Sequence, residues 1–356
     1  MADAHLHAVV MAGGAGERFW PRSRRARPKP LLRVAGGATL LDAALAHARR
    51  FAGADRVWLV CTQPCAAALR KASGLPRARV LVEPEGRNTA MAVAFAAAHV
   101  AARDPDAVTA FLPADHAIPD GAALQRALRK AARAAARAGA LVTLGVAPTR
   151  PETGYGYIQV GRAAGPAYPG LHRVRRFVEK PALAVARRLL RSGGHLWNAG
   201  IFVWRADAIL EEIERCEPAL ARALAAYRDR PTRASLARAY RGAPSLPIDV
   251  AVLERSRRVW TLPVDFPWSD VGSWASLAAE LGVDARHSRV VDGAALLLDA
   301  PGNLVWPDRR FVALLGVEGL AVIDAGDALL VARLDRSADV RRVVAALRER
   351  KRADLL

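Results

Sequence analysis

A cluster of glycines, two lysines and two aspartates carry the chemistry that this sequence suggests. In "VVMAGGAGERFWPRSRRARPKP", residues 9–30, an apolar run stops at Gly13 and Gly14; Gly16 follows, then Arg18, a proline and a basic segment ending on Lys29. Glycine lets backbone N–H groups approach a ligand closely and tolerates positive φ, and a nest of such N–H groups favours anions. The matching ligand is a phosphate. Neither standard phosphate motif fits: no lysine follows the glycines at the Walker spacing, and Phe19 stands where the dinucleotide fingerprint needs its third glycine. Taken alone, the stretch is also compatible with an ordinary glycine-rich βα turn.

Asp115 stands in "LPADH" and Asp270 in "PWSDVGSW", both at loop positions. Two such carboxylates meeting over one ion suit Mg²⁺, which takes one or two carboxylates together with substrate phosphates. Each alone reads equally well as a turn or N-cap aspartate. His116 reads as a hydrogen-bonding neighbour rather than a ligand. In "EPEGRNTA", Asn88 is placed to cap the next helix, and its amide, both donor and acceptor, also suits a base edge. "TRPETGYGYI", with Gly154, reads as a tight loop against a polar ligand. Glu179 and Lys180 are adjacent in "FVEKP". On a strand they point to opposite faces, one toward a sugar hydroxyl and one toward a phosphate; the alternative is a surface ion pair. Asn198 in "LWNAGIF" lies at the edge of an apolar run.

The elements that must hold these residues alternate. "HAVVMA", "DRVWLVCT", "ARVLVEP", "AVTAFLPADH" and "ALVTLGV" read as strands. "TLLDAALAHARRFA" (with Thr39 as N-cap), "PCAAALRKAS", "NTAMAVAFAAAHVAAR" and "GAALQRALRKAARAAARAG" read as the helices between them. This spacing predicts a doubly wound, mainly parallel α/β sheet, Rossmann-like, whose ligands bind at the carboxyl ends of the strands. The basic face of the helix over 121–138 reads as solvated. From about 154 to 280 the pattern is mixed: "GYGYIQVG", "HRVRRFVEKP" and "LWNAGIFVWRA" read as strands with aromatics, "LAVARRLLRSGG" as a helix with a glycine stop, and "RRVWTLPVDFPWSDVGSWASL" as a strand and loop leading into a helix. After about 285 come short strands and turns, then a closing helix. The domains expected are 1–284, catalytic, and 285–356, a small β-rich unit ending in a helix.

The chain has 356 residues, is 52% hydrophobic and 24% charged, and carries a formal net charge of +19. This composition is globular. A nucleic-acid partner is discounted because the basic residues are scattered and the aromatics, 6%, do not interleave with them. The sequence holds five lysines against 48 arginines, so Lys29 and Lys180 stand out from an arginine-biased background. The three cysteines, Cys61, Cys65 and Cys216, form neither a disulfide framework nor a zinc spacing. With no apolar run of membrane-spanning length and no signal segment, the expected location is the cytoplasm, with no membrane partner.

The set "MAGGAGERFWPRSRRARPKPLL", "EPEGRNTA", "LPADH", "PTRPETGYGYI", "FVEKP", "GGHLWNAGIF" and "WSDVGSW" resembles, in order and over about residues 6–345, the mannose-1-phosphate guanylyltransferases among the sugar nucleotidyltransferases. Pro30, Phe19 and Met91 depart from the family's usual Gln, Leu and Pro; no charged or metal-binding position is lost. The resemblance implies transfer of GMP from GTP to mannose 1-phosphate, giving GDP-mannose and pyrophosphate, with Mg²⁺ as cofactor. It implies that Ala12, Gly13, Gly14 and Gly16 cradle the triphosphate and that Arg18 and Lys29 neutralise it. Asp115 and Asp270 would hold the metal, Asp115 lying also at the nucleotide. Asn88 would lie near guanine or ribose, Gly154, Glu179 and Asn198 would address mannose hydroxyls, and Lys180 the sugar phosphate. The family's frequent dimers make a homodimer an expectation, with the β-rich tail as its contact. Longer relatives continue into an isomerase domain, so an end near residue 356 implies a transferase alone. Two other readings remain: another hexose 1-phosphate or nucleotide on the same fold, and a non-catalytic nucleotide-sugar sensor.

Overall fold

The computed structural model describes residues 5–14, 16–33 and 37–356. Nine strands form the main sheet: β1 (Leu6–Met11), β2 (Val57–Thr62), β3 (Val80–Glu83), β4 (Val108–Pro113), β5 (Leu141–Val146), β6 (Tyr157–Ala163), β7 (His172–Val178), β8 (His195–Arg205) and β9 (Val259–Val264). Their order is β3-β2-β1-β4-β8-β5-β9-β7-β6. Only β7 and β8 oppose the common direction: β8 pairs antiparallel with β4, β5 and β6, and β7 with β6 and β9. The expected mainly parallel sheet is present.

Helices α1 (Leu40–Ala52), α2 (Ala66–Ser73), α3 (Asn88–Ala101) and α4 (Gly121–Ala138) cross between the first five strands. Thr39 caps α1 in a reciprocal box with Asp42. Alternation along β1 sends Ala8 and Val10 into a core under α1 and α4, and Val9 into a second core under α3. α5 (Leu183–Ser192) precedes β8. α6 (Ala206–Cys216), α7 (Pro218–Asp229) and α8 (Arg233–Gly242), which no sequence pattern had singled out, thicken the α3 side. A π-helical turn spans Asp249–Leu253.

After α9 (Trp274–Glu280) the chain coils through β10 (Arg289–Val290), β11 (Ala295–Leu298), β12 (Leu304–Trp306), β13 (Val312–Leu315), β14 (Leu320–Asp324) and β15 (Leu329–Arg333), and closes with α10 (Val340–Glu349). β10, β12 and β14 stack in parallel on one side, and β11 and β13 on another. A third core joins this unit to the residues after the glycine loop: Phe19, Trp20 and Leu32 pack with Trp274, Trp306, Ile323 and Val344. No helix among the described residues is long and apolar enough to cross a membrane.

Candidate active site

The parallel ladders leave a cleft at the carboxyl ends of β1, β2, β3 and β4. Met11 still pairs with both neighbours, and the Ala12 N–H donates to the Val60 carbonyl at 2.8 Å. Ala12 thus shapes the wall with its amide already engaged. Gly13 and Gly14 then leave the ladder. A Cβ on Gly13 would come 3.3 Å from Glu83 Oε2. Gly16, at φ 62°, turns the chain so closely over the next segment that a Cβ would lie 2.5 Å from Ser23 Oγ and 2.6 Å from Lys29 Cβ. No larger residue fits there.

That close approach places Lys29. Its side chain is buried, and its Nζ donates to Asp115 Oδ2 at 2.7 Å and to the Asp270 carbonyl at 2.9 Å. Burial pushes the Asp115 carboxyl up, but the Lys29 ammonium and the neighbouring His116 outweigh it and hold Asp115 below the usual carboxylate range. Asp270 Oδ1 accepts from the Tyr155 hydroxyl at 2.7 Å, and Tyr155 is wedged edge-on between Trp197 and Trp268. A Cβ on Gly272 would come 2.8 Å from Asp270 Oδ2, so its absence keeps that oxygen clear. Trp268 Nε1 donates to His116 Nδ1 at 3.2 Å; burial holds this imidazole below its ordinary pKa, in a hydrogen-bonding role as the sequence suggested. Arg18 is exposed and donates to the Gly272 carbonyl at 3.1 Å.

Two cavities meet at this point. The inner one, about 470 Å³, is lined by Ala12, Gly13, Gly14, Asn88, Asp115, Gly154, Glu179, Lys180, Asn198 and Asp270. The outer one, about 640 Å³, is lined by Gly16, Arg18 and Lys29 and shares Asp115, Gly154, Lys180 and Asp270. Every residue expected at the site therefore lines one or both.

The details differ from expectation at several positions. Glu179 and Lys180 do not point to opposite faces. The strand ends at Val178, and Lys180, at φ 45°, turns back so that its ammonium pairs with its neighbour's carboxylate. Asn198 is engaged by protein partners: Oδ1 accepts from Thr143 Oγ1 at 2.7 Å and Nδ2 donates to Asp249 Oδ1 at 2.8 Å. Its geometry is that of a holder of Asp249. Gly154 donates its N–H to Glu152 Oε1 at 3.0 Å. Asn88 is not the N-cap but the first helical residue, at φ 61°, and its Oδ1 accepts from the Thr89 N–H at 2.9 Å.

Sequence reasoning missed three side chains that line these walls. Tyr155 was inside a quoted motif but had no assigned task. Asp249 is buried beside Asn198; burial, reinforced by the nearby Glu179, pushes its carboxyl up to about 7. Glu83 closes the inner cavity behind Gly13. Its Oε1 accepts from the Tyr240 hydroxyl at 3.1 Å, and burial pushes it up to about 7 against that bond. The one available signal for Glu83 was its place at the end of an apolar strand, opposite the glycines.

Asp115 and Asp270 are the residues suited to a metal. Both carboxylates line the two cavities, their oxygens are of the hard type that suits a divalent cation such as Mg²⁺, and Gly272 keeps Asp270 Oδ2 clear. Among the described residues no group of three or more His, Cys, Asp or Glu is arranged to hold a metal.

Known proteins match the chain over most of its length. Residues 7–284 match the family model described as nucleotidyl transferase, and residues 293–347 match that of the MannoseP isomerase/GMP-like beta-helix domain. The chain is 35% identical to the mannose-1-phosphate guanylyltransferase of Escherichia coli K12, covering 97% of this chain and 74% of that protein. It is 36% identical to the xanthan biosynthesis protein XanB of Xanthomonas campestris, again over 97% and 74%. A crystal structure from Thermus thermophilus, described as a mannose-1-phosphate geranyltransferase, superposes with a TM-score of 0.88 at 38% identity, covering 97% of this chain and 99% of that one.

Proposed function

Because the chain belongs to the nucleotidyl transferase family, we propose that it transfers GMP from GTP to mannose 1-phosphate, releasing pyrophosphate and GDP-mannose. The observation that carries this reading is the junction of the two cavities at Lys29, Asp115 and Asp270. A nucleotide over the glycine loop and a sugar phosphate beside Lys180 would bring their phosphates together there.

In the reaction, a phosphate oxygen of mannose 1-phosphate attacks the α-phosphorus of GTP in line, and the bond to the bridging oxygen of the β-phosphate breaks. The protein supplies position and charge. The N–H groups of Gly13 and Gly14 donate to the triphosphate, and Gly16 brings Lys29 under it. Arg18 and Lys29 offset the charge of the departing pyrophosphate, and Lys180 that of the sugar phosphate. Asp115 and Asp270 would hold a Mg²⁺ ion, whose contribution is to neutralise charge at the α-phosphate and align the two phosphates. Tyr155 keeps Asp270 oriented. In the sugar half, Glu179 accepts from mannose hydroxyls, Gly154 shapes the loop that faces them, and Asn198 acts through Asp249.

The proposal sets the base against Asn88 and Glu83, both of which line the inner cavity. Guanine presents two donors on one edge, N1–H and N2–H, which a single carboxylate can accept together. Glu83→Gln is therefore expected to lower the preference for GTP over ATP by about 1–3 kcal/mol, the range of a bidentate base contact. Only ionised Glu83 accepts both donors. With its carboxyl pushed up to about 7, the KM for GTP is expected to rise as the pH falls through 7 and to level above it, while Glu83→Gln gives a flat profile. Equal pH dependence in the two enzymes would remove Glu83 from base reading.

The reaction itself is tested by pyrophosphate release with Mg²⁺, crossing GTP, ATP, UTP and dTTP against mannose 1-phosphate and glucose 1-phosphate. GTP with mannose 1-phosphate is expected to lead. Turnover with another pair moves the specificity and keeps the chemistry. Folded protein silent with every pair overturns the catalytic reading in favour of a nucleotide-sugar sensor.

A further inference from the structure

The segment after Gly16 is tied to the C-terminal unit along its length. Phe19 packs edge-on against Trp274, ring centroids 4.9 Å apart. Trp20 Nε1 donates to the Leu355 carbonyl at 2.8 Å. Buried Arg22 donates to the Pro307 carbonyl at 2.7 Å and lies 4.9 Å over the Trp306 ring. Arg24 forks onto both carboxylate oxygens of Asp327 at 2.6 Å, and Glu17 pairs with Arg348 of α10.

Away from Glu83 the glycines also border open space. Gly13 and Gly14 line both the inner substrate cavity and a further cavity of about 450 Å³, whose other lining residues include Val344, Arg348 and Leu356. Packing on that side of the loop therefore does not set its height over the substrate. The segment C-terminal to Gly16 must set it, and that segment is anchored on the C-terminal unit.

We propose that Trp20, Arg22 and Arg24 are positioning residues for the nucleotide, through which the C-terminal β-rich unit fixes the phosphate loop. The inference rests on the reading of that loop as the triphosphate cradle. An exposed ion pair such as Arg24–Asp327 adds little to global stability, but a planar two-point fork constrains orientation. Its loss should loosen the loop without unfolding the protein. The uncovered loop amides, not the sugar subsite, feel the change.

The test uses the full chain and the variants Trp20→Phe, Arg22→Lys and Asp327→Ala, with Trp20→Phe/Asp327→Ala combined. The KM for GTP is expected to rise about 5–20-fold in the double variant, with the KM for mannose 1-phosphate within about 2-fold of wild type, as expected when only the nucleotide loses preorganisation. Hydrogen exchange of the Phe19, Trp20 and Ser23 amides, each bonded to a backbone carbonyl between Gly16 and Phe19, is expected to accelerate about 10-fold, with β1 unchanged, the signature of a local opening. Parallel rises in both KM values, or unchanged exchange of these amides in every variant, overturn the tether. Should the wild-type protein prove inactive, the proposed reaction fails while the exchange comparison still decides the tether.

Discussion

Asp270→Asn is expected to fold as the wild type and to lose about 10³-fold in kcat, equivalent to about 4 kcal/mol of barrier. The substitution keeps the shape of the side chain and an Oδ1 acceptor for the Tyr155 hydroxyl, a bond of 2.7 Å in the wild type. Trp268, Trp197 and Tyr155 therefore retain their packing. One negative charge disappears from the junction of the two cavities. Asp115 alone would then have to hold the cation, and the Mg²⁺ concentration for half-maximal rate is expected to rise by at least about 10–100-fold, the effect seen already for groups one step removed from a metal. Tyr155→Phe separates orientation from charge. It leaves the Asp270 side chain in place but unheld, so about a 10-fold loss is expected, in line with one hydrogen bond. Turnover and Mg²⁺ titration are read together with a thermal melt. An Asp270→Asn enzyme with wild-type kcat and metal dependence would remove Asp270 from the metal site.

The main sheet was legible because its signals are local. Apolar runs of strand length, such as "HAVVMA" and "AVTAFLP", end at glycine or aspartate and are followed by helical periodicity, so order and type follow from the chain itself. The glycine loop and Asp115 were legible for the same reason: each directly follows a strand. Backbone turns were less so. Lys180 was placed on the face opposite Glu179 by strand periodicity, and the left-handed turn after Val178 cancels that periodicity within two residues. Asp249 was invisible because "PIDVAVLER" reads as an apolar helical stretch, and only the fold lays its carboxyl against Asn198. The contacts of Trp20, Arg22 and Arg24 join residues some 285 to 335 positions apart, a separation at which residue spacing carries no information. Arginine bias hid them further, since in a chain with 48 arginines no single one stands out before its partner is known.

Lys29 is the residue on which phosphate charge and the site's own integrity depend together, and Lys29→Met separates the two. Its ammonium bonds Asp115 and the Asp270 carbonyl, and it offsets the burial that would otherwise push the Asp115 carboxyl up. Removing one partner of a buried pair costs about 3–5 kcal/mol. The Asp115 side chain is 32% exposed to the cavity, so the stability loss at pH 7 is expected at or below the lower end of that range. The direction of the pH effect is fixed by the depressed carboxyl. A carboxyl held below its unfolded pKa contributes stability that is present above the unfolded value and is lost as the pH falls through the folded one. Wild-type protein should therefore lose part of its stability on acidification, and Lys29→Met, lacking the offset, should lose less over the same acid range because less remains to be lost. Activity obeys a different rule. In the proposed reaction the missing cation would face the triphosphate directly, and a loss of about 10²–10³-fold in kcat is expected, as for removal of one electrostatic donor from a transition state. Lys29→Arg distinguishes the two effects: it restores a positive charge near Asp115, but its planar fork does not match a site shaped for a compact ammonium. Recovery of the melting temperature without recovery of kcat would place Lys29 at the reacting phosphates. Recovery of both would reduce it to a counter-charge for Asp115, and loss of stability with full turnover in Lys29→Met would exclude it from the chemistry.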